Sequence, residues 1–160
     1  MTYKTFGVGG DYADLGLAWD YLVSLGTLGD DYEFTQVSDF TDSKGVAGGA
    51  SKLVTFNTHS VTFRNPNGYS ITTAYPYNFR DNGAGASLND VLILDGLKIT
   101  TSITSGTLIY AAPWFASNSM TVFYKNLCLK GGGKVFATTG ITRLRWGNST
   151  HILNCRITNF

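Results

Sequence analysis

The chain has 160 residues, of which 43% are hydrophobic and 14% charged, and its net charge is +1. That length and apolar content are enough for one ordinary domain with a sizeable core, and they exclude a disordered chain. No apolar run approaches the roughly 18 residues that a membrane-spanning helix requires, so no membrane partner is expected.

The first residues, Met1-Thr2-Tyr3-Lys4, lack the apolar stretch of a secretory leader. Two cysteines, Cys128 and Cys155, are too few for a disulfide framework. Together these features lead to the expectation of a chain made in a reducing cytoplasm. Gly7-Val8-Gly9-Gly10 has neither the Lys-Ser/Thr of a phosphate-binding loop nor a strand before it, and reads as a turn. Asp11 stands where a helix N-cap would, and Asp14 near the positive end of the helix dipole. Leu15, Ala18, Trp19, Leu22 and Leu25 follow at i, i+3, i+4 spacing, with Gly26 and Gly29 as stops. One amphipathic helix is therefore predicted over about 12–25.

Past the helix the period changes to two. Tyr32, Phe34 and Gln36 alternate with Glu33, Thr35 and Val37. Thr41–Ser51 is rich in Gly, Ser and Ala and reads as a loop. Strand-like runs follow at 52–57, 60–64, 91–100, 107–111, 120–129, 134–138, 141–146 and 151–158. Tyr75, Tyr77, Phe79, Trp114 and Phe115, near Pro76 and Pro113, are expected in loops between strands. Such loops either line an interface or sugar site or pack back on the core.

Three of the runs are copies of one another: Leu94-Asp95-Gly96-Leu97-Lys98-Ile99, Tyr124-Lys125-Asn126-Leu127-Cys128-Leu129 and Ile152-Leu153-Asn154-Cys155-Arg156-Ile157. The third position is Gly96, Asn126 or Asn154, at spacings of 30 and 28 residues. Phe63-Arg64-Asn65 is a weaker earlier copy, broken by Pro66-Asn67-Gly68. Gly and Asn share a tolerance of the left-handed αL backbone, so this register position implies the same tight bend in each copy. Leu97/Ile99, Leu127/Leu129 and Cys155/Ile157 then face one way, while Lys98, Cys128 and Arg156 face the other. The unit is strand, αL corner, strand, with the Asn side chains able to stack into a ladder. A repeat of about 30 residues without helices fits a β-solenoid. An antiparallel sandwich could use the same strands, but it calls for two-residue Asn-Gly or Asp-Gly loops between them. Here Asp95-Gly96 lies inside a repeat.

On these features the chain resembles the right-handed parallel β-helices of the pectate-lyase-like superfamily, in the short form found in bacteriophage proteins. The resemblance is carried by Gly9-Gly10-Asp11-Tyr12-Ala13-Asp14-Leu15 opening a short helix and by the strand–Asn–strand units at Asn126 and Asn154. It implies an all-β fold, a right-handed parallel β-helix with a short N-terminal capping α-helix. One domain over 1–160 is expected, with about 1–40 as cap and first strand and about 50–160 as coils. The last unit ends at Phe160 with no cap after it, so oligomerisation or docking is expected there. The resemblance implies trimers.

Enzymes of that superfamily cleave polysaccharides and need a carboxylate pair or a base. No acid follows Asp95, and Asp90 and Asp95 fall near expected corners, where Asp is common for turn reasons. No catalytic residue is assigned. His59 and His151 lack partners at metal-ligand spacing, so neither metal nor cofactor is expected.

Charge is the positive signal. Residues 1–95 hold five Lys/Arg and all eleven Asp/Glu, a net −6, whereas residues 96–160 hold seven Lys/Arg and no acid, a net +7. Lys98, Arg156, Arg143 and Arg145, with Phe160 at the open end, form the candidate interface; the alternative is a solvated face or chance. Aromatics interleaved for nucleic acid are not evident. The expectation is a non-catalytic virion structural protein of a bacteriophage, a capsid decoration (cement) protein assembled in the host cytoplasm. Its partners would be itself and the major capsid protein. The alternative is a fragment of a tailspike or tail-fibre protein that binds or degrades glycan.

Overall fold

The computed structural model describes residues 1–46, 52–82, 88–103, 108–113, 120–131 and 149–158. The elements are β1 (Thr2–Phe6), α1 (Leu15–Leu25), β2 (Tyr32–Gln36), β3 (Phe40–Asp42), β4 (Ser60–Arg64), β5 (Ser70–Thr73) and β6 (Tyr77–Asp81), then β7 (Val91–Asp95), β8 (Lys98–Thr101), β9 (Ile109–Pro113), β10 (Thr121–Lys125), β11 (Cys128–Lys130), β12 (Ser149–Leu153) and β13 (Arg156–Thr158). They form three sheets, ordered β1-β2-β4-β7-β10-β12, β13-β11-β8-β5-β3 and β6-β9. All the strand pairs are parallel, each joining one coil to the next. The fold is a parallel β-solenoid with one short helix near its N-terminal end, and the sandwich is excluded.

Alternation along each strand selects the core. Phe34, Phe63, Leu94 and Tyr124 occupy one inward row of the first sheet, and all four are buried. Phe34 and Phe63 stack with ring centroids 4.9 Å apart. In-register parallel pairing places like residues over one another, so an aromatic row becomes a column of rings. Leu97, Leu127 and Leu129 extend the core on the far side of the corners.

The helix closes the first coil. Its N-cap is Asp14, not Asp11: the Asp14 carboxylate accepts the Leu17 N–H at 2.7 Å, and the helix begins three residues later than expected. Trp19 is fully buried, packed edge-on against Phe79 at 5.0 Å, and its indole N–H donates to the Lys52 carbonyl. Leu15, Ala18 and Leu22 are buried with it, whereas Leu25 is 39% exposed and leaves the expected stripe at its last turn. Gly16 allows the closest approach: a Cβ there would sit 2.2 Å from the Gly45 carbonyl oxygen.

Asp11 has a different task. Its carboxylate accepts the backbone N–H of Thr5 at 2.8 Å and the Thr5 hydroxyl at 3.0 Å. Tyr12 bridges to Phe6, and its carbonyl accepts the Gly7 N–H. The outer edge of β1 is thus covered at Thr5 and Gly7 by side-chain and backbone partners, which is one way a solenoid blocks templated pairing at an end.

Other expectations are revised. The Thr41–Ser51 loop begins with a short strand, β3. Tyr77 and Phe79 lie in β6 and are buried, so they are core and not loop aromatics. The 52–57 run forms isolated bridges at Val54 and Thr55. The runs at 91–100, 120–129 and 151–158 each divide into two strands at a corner. The runs at 134–138 and 141–146, with Trp114 and Phe115, lie outside the described residues.

Candidate functional site: the last coil and its outer faces

Gly96, Asn126 and Asn154 have φ of 72°, 53° and 52° and turn the first sheet into the second in three successive coils. The two asparagine side chains form a ladder that ends on Asp95, not Gly96: Asn154 donates its amide to Asn126 at 2.8 Å, and Asn126 donates to Asp95 at 2.8 Å. Asn65, the equivalent corner in the preceding coil, is absent from the positive-φ residues and bonds to Tyr69 and Gly96 instead. Its three-residue insertion, Pro66-Asn67-Gly68, moves the left-handed residue to Gly68. Beside these corners lies a cleft of about 250 Å³ lined by Arg64, Asn65, Pro66, Asp95, Gly96 and Asn126.

Past the corner the register places Lys98 beside Cys128 and Cys128 beside Arg156, on one outward track of the second sheet. Lys130 lies on the same face, between Thr100 and Thr158. Cys155 turns inward, its thiol 3.4 Å from the Tyr124 carbonyl, and both cysteines are free thiols. Arg143, Arg145 and Phe160 lie outside the described residues.

The two ends of the solenoid are unlike. Ile152 and Ile157 continue the inward rows of Tyr124 and Leu129. Tyr124 and Leu129 are 1% and 0% exposed, but Ile152 and Ile157 are 55% and 45% exposed. Leu153, on the outward side of the same coil, is 50% exposed. On the outer face nearby, Phe123 and His151 stack at 4.6 Å, and the Ser149 hydroxyl lies 2.9 Å from His151 Nε2. Sequence reasoning missed Ile152 and Ile157 as surface groups, because their alternation is that of core residues.

The acids take structural positions. Asp42 is buried, accepting the Gly45 N–H at 2.7 Å and the Tyr77 hydroxyl at 3.0 Å. Burial pushes its carboxyl above the usual value, and the amides of Gly45 and Lys44 oppose that shift. Asp14 stands near Asp42 but accepts from Leu17 and Ser43, so the pair is tied into the joint between helix and first coil. Asp90 is buried, with the Thr58 N–H at 2.6 Å. Among the described residues no group of three or more metal-ligating side chains occurs.

No family model, no curated protein and no solved structure matches this chain.

Proposed function

We propose that this chain is a non-catalytic structural protein of a bacteriophage virion, a decoration protein that binds the major capsid protein and stabilises the head as a homotrimer. In this reading the solenoid is of the pectate-lyase-like, phage structural type. One observation carries it: the inward rows of the solenoid reach Ile152 and Ile157 and are left facing solvent there. Apolar side chains in core register, beside strand edges that are unpaired among the described residues, stabilise a contact far more than they stabilise a free surface. The partners held by Thr5 and Gly7 hinder pairing at the β1 edge and so favour a closed assembly over an end-to-end fibre. The test is the solution mass of the full chain by light scattering, with and without Ile152→Asp and Ile157→Asp. A defined oligomer that dissociates in the variants is the expected result. A monomer at all concentrations, unchanged by either substitution, would overturn the reading.

A second reading has its own observation. The corner cleft offers the Arg64 guanidinium, the Asp95 carboxylate and the Pro66 ring within a space of monosaccharide size. Donor, acceptor and apolar patch together suit a sugar ring, as in a glycan-binding module of a tail fibre. Glycan array binding that is lost in Asp95→Ala would favour it over the decoration reading.

A further inference from the structure

The uneven charge of the chain resolves into two halves with different uses. The aspartates of the first half are held by the fold. Asp11, Asp31, Asp39 and Asp90 accept the backbone N–H groups of Thr5, Ser60, Ser70 and Thr58 at 2.8, 2.7, 2.6 and 2.6 Å. Asp14 and Asp42 do the same for Leu17 and Gly45, both at 2.7 Å. Asp20 is ion-paired with Lys44 and Lys52, and Glu33 with Arg64. The short Asp side chain reaches turn amides that Glu overshoots. This accounts for Glu33 being the one glutamate among eleven acids.

The described cations of the second sheet stand apart from these pairs. Lys98, Lys130 and Arg156 project from the outward side of β8, β11 and β13, and none forms an ion pair among the described residues. With strands about 4.8 Å apart and about 6.7 Å for two residues along a strand, their Cα atoms form a triangle with sides of about 8 to 10 Å. Cys128 lies on the edge between Lys98 and Arg156. The outward hydroxyls of Ser70, Thr72, Thr100 and Thr158 share this face.

We propose that this cationic, hydroxyl-bearing face of the second sheet docks the acidic surface of a partner protein. The proposal rests on the assembly reading above and names the chemistry of the partner. A triangle of cations on a flat sheet matches the two-dimensional spread of carboxylates on a folded protein, whereas a linear polyanion is matched by a track. Among the described residues no outward ring lies between the cations for a base to stack on, and such stacking is a main affinity source for single-stranded nucleic acid. A second copy of this chain has fewer carboxylates to offer than an acidic partner, because Asp14, Asp42, Asp81 and Asp90 are buried and Asp20 and Glu33 are already ion-paired. Lysine and arginine held without internal partners keep their full field for an incoming carboxylate and speed its encounter.

The test uses the full chain with three probes: a negatively supercharged fluorescent protein, its neutral parent, and duplex DNA. Binding is read by anisotropy at low and high salt, together with maleimide labelling of Cys128, located by peptide mass mapping. The acidic protein is expected to bind, to protect Cys128, and to release with salt. The triple variant Lys98→Gln, Lys130→Gln, Arg156→Gln is expected to lose at least tenfold in affinity and all protection, at an unchanged melting temperature. Lys125→Gln, on the other sheet, is expected to bind as the parent chain does. Binding that leaves Cys128 reactive, or that survives the triple variant, would overturn the proposal. So would DNA that binds more tightly than the acidic protein and protects Cys128. A face that passes this test in a chain that remains monomeric, with Ile152→Asp inert, would refute the self-assembly reading and leave the face standing.

Discussion

Asn154 donates its side-chain amide to Asn126 at 2.8 Å, and both hold a left-handed backbone, with φ of 52° and 53°. Each therefore does two things: it tolerates the corner, and it ties its coil to the previous one. Asn126→Gly keeps the conformation and removes the ladder. Asn126→Ala removes both, adding a left-handed cost of about 1–2 kcal/mol to the lost hydrogen bonds. Urea unfolding should rank the parent above Asn126→Gly and that above Asn126→Ala. Equal stability of the two variants would show that the backbone term is absent.

Gly96→Ala is expected to be worse than Asn126→Ala. A Cβ at Gly96 would lie 2.7 Å from the Asn65 carbonyl oxygen, a backbone atom that cannot rotate away, and φ is 72°. A melting temperature equal to that of Asn126→Ala would show that the neighbouring coil yields freely.

Tyr124→Phe should stabilise the chain. The Tyr124 hydroxyl is buried with no hydrogen-bond partner among the described residues, and burial holds its pKa well above the ordinary phenol value. An unsatisfied buried hydroxyl costs about 1–3 kcal/mol, so its removal should raise the denaturant midpoint without changing the slope. A fall in the midpoint would reveal a partner for that oxygen.

Asp42 gives the stability a pH signature. Burial raises its folded pKa, with amide hydrogen bonds opposing. A raised pKa means that the folded state holds the proton more tightly, so this group's contribution is present below the ordinary carboxylate range and is lost as pH rises through the folded value. Asp42→Asn keeps an acceptor for the amides of Lys44 and Gly45 and cannot ionise. Its stability relative to the parent should therefore grow as pH rises above the ordinary carboxylate range and through the raised folded value. A difference that is flat or falls with pH would contradict this.

Asp11→Ala should unseal the edge of β1. The Thr5 amide loses its acceptor, and its hydrogen exchange should quicken by about tenfold or more. Light scattering should show more association at high concentration. Unchanged exchange would mean that the helix end protects the edge by itself.

The corners were legible because few residue types accept a left-handed backbone, so Gly96, Asn126 and Asn154 mark one register position without any knowledge of contacts. The inward and outward rows followed from alternation, as Lys98, Cys128 and Arg156 illustrate. The N-cap was misplaced because Asp11 and Asp14 look alike along the chain. What separates them is Thr5, whose amide captures Asp11 only once β1 has folded beside it. Tyr77 and Phe79 were hidden by Pro76, a turn signal that here stands just ahead of a buried strand. Arg143, Arg145 and Phe160 lie outside the described residues.

The sealing of one end has a consequence for how the molecule comes into being. Thr2 pairs with Tyr32, Tyr32 with Val61 and Val61 with Leu92, so each strand finds its partner only after about thirty further residues have been made. Closing a loop of that length is costly for a free chain, but far less so when one side is already rigid. The coil closed by the helix offers such a rigid surface, and every coil laid on it becomes the template for the next. The solenoid grows as a crystal face grows, each coil laid down on the one before it.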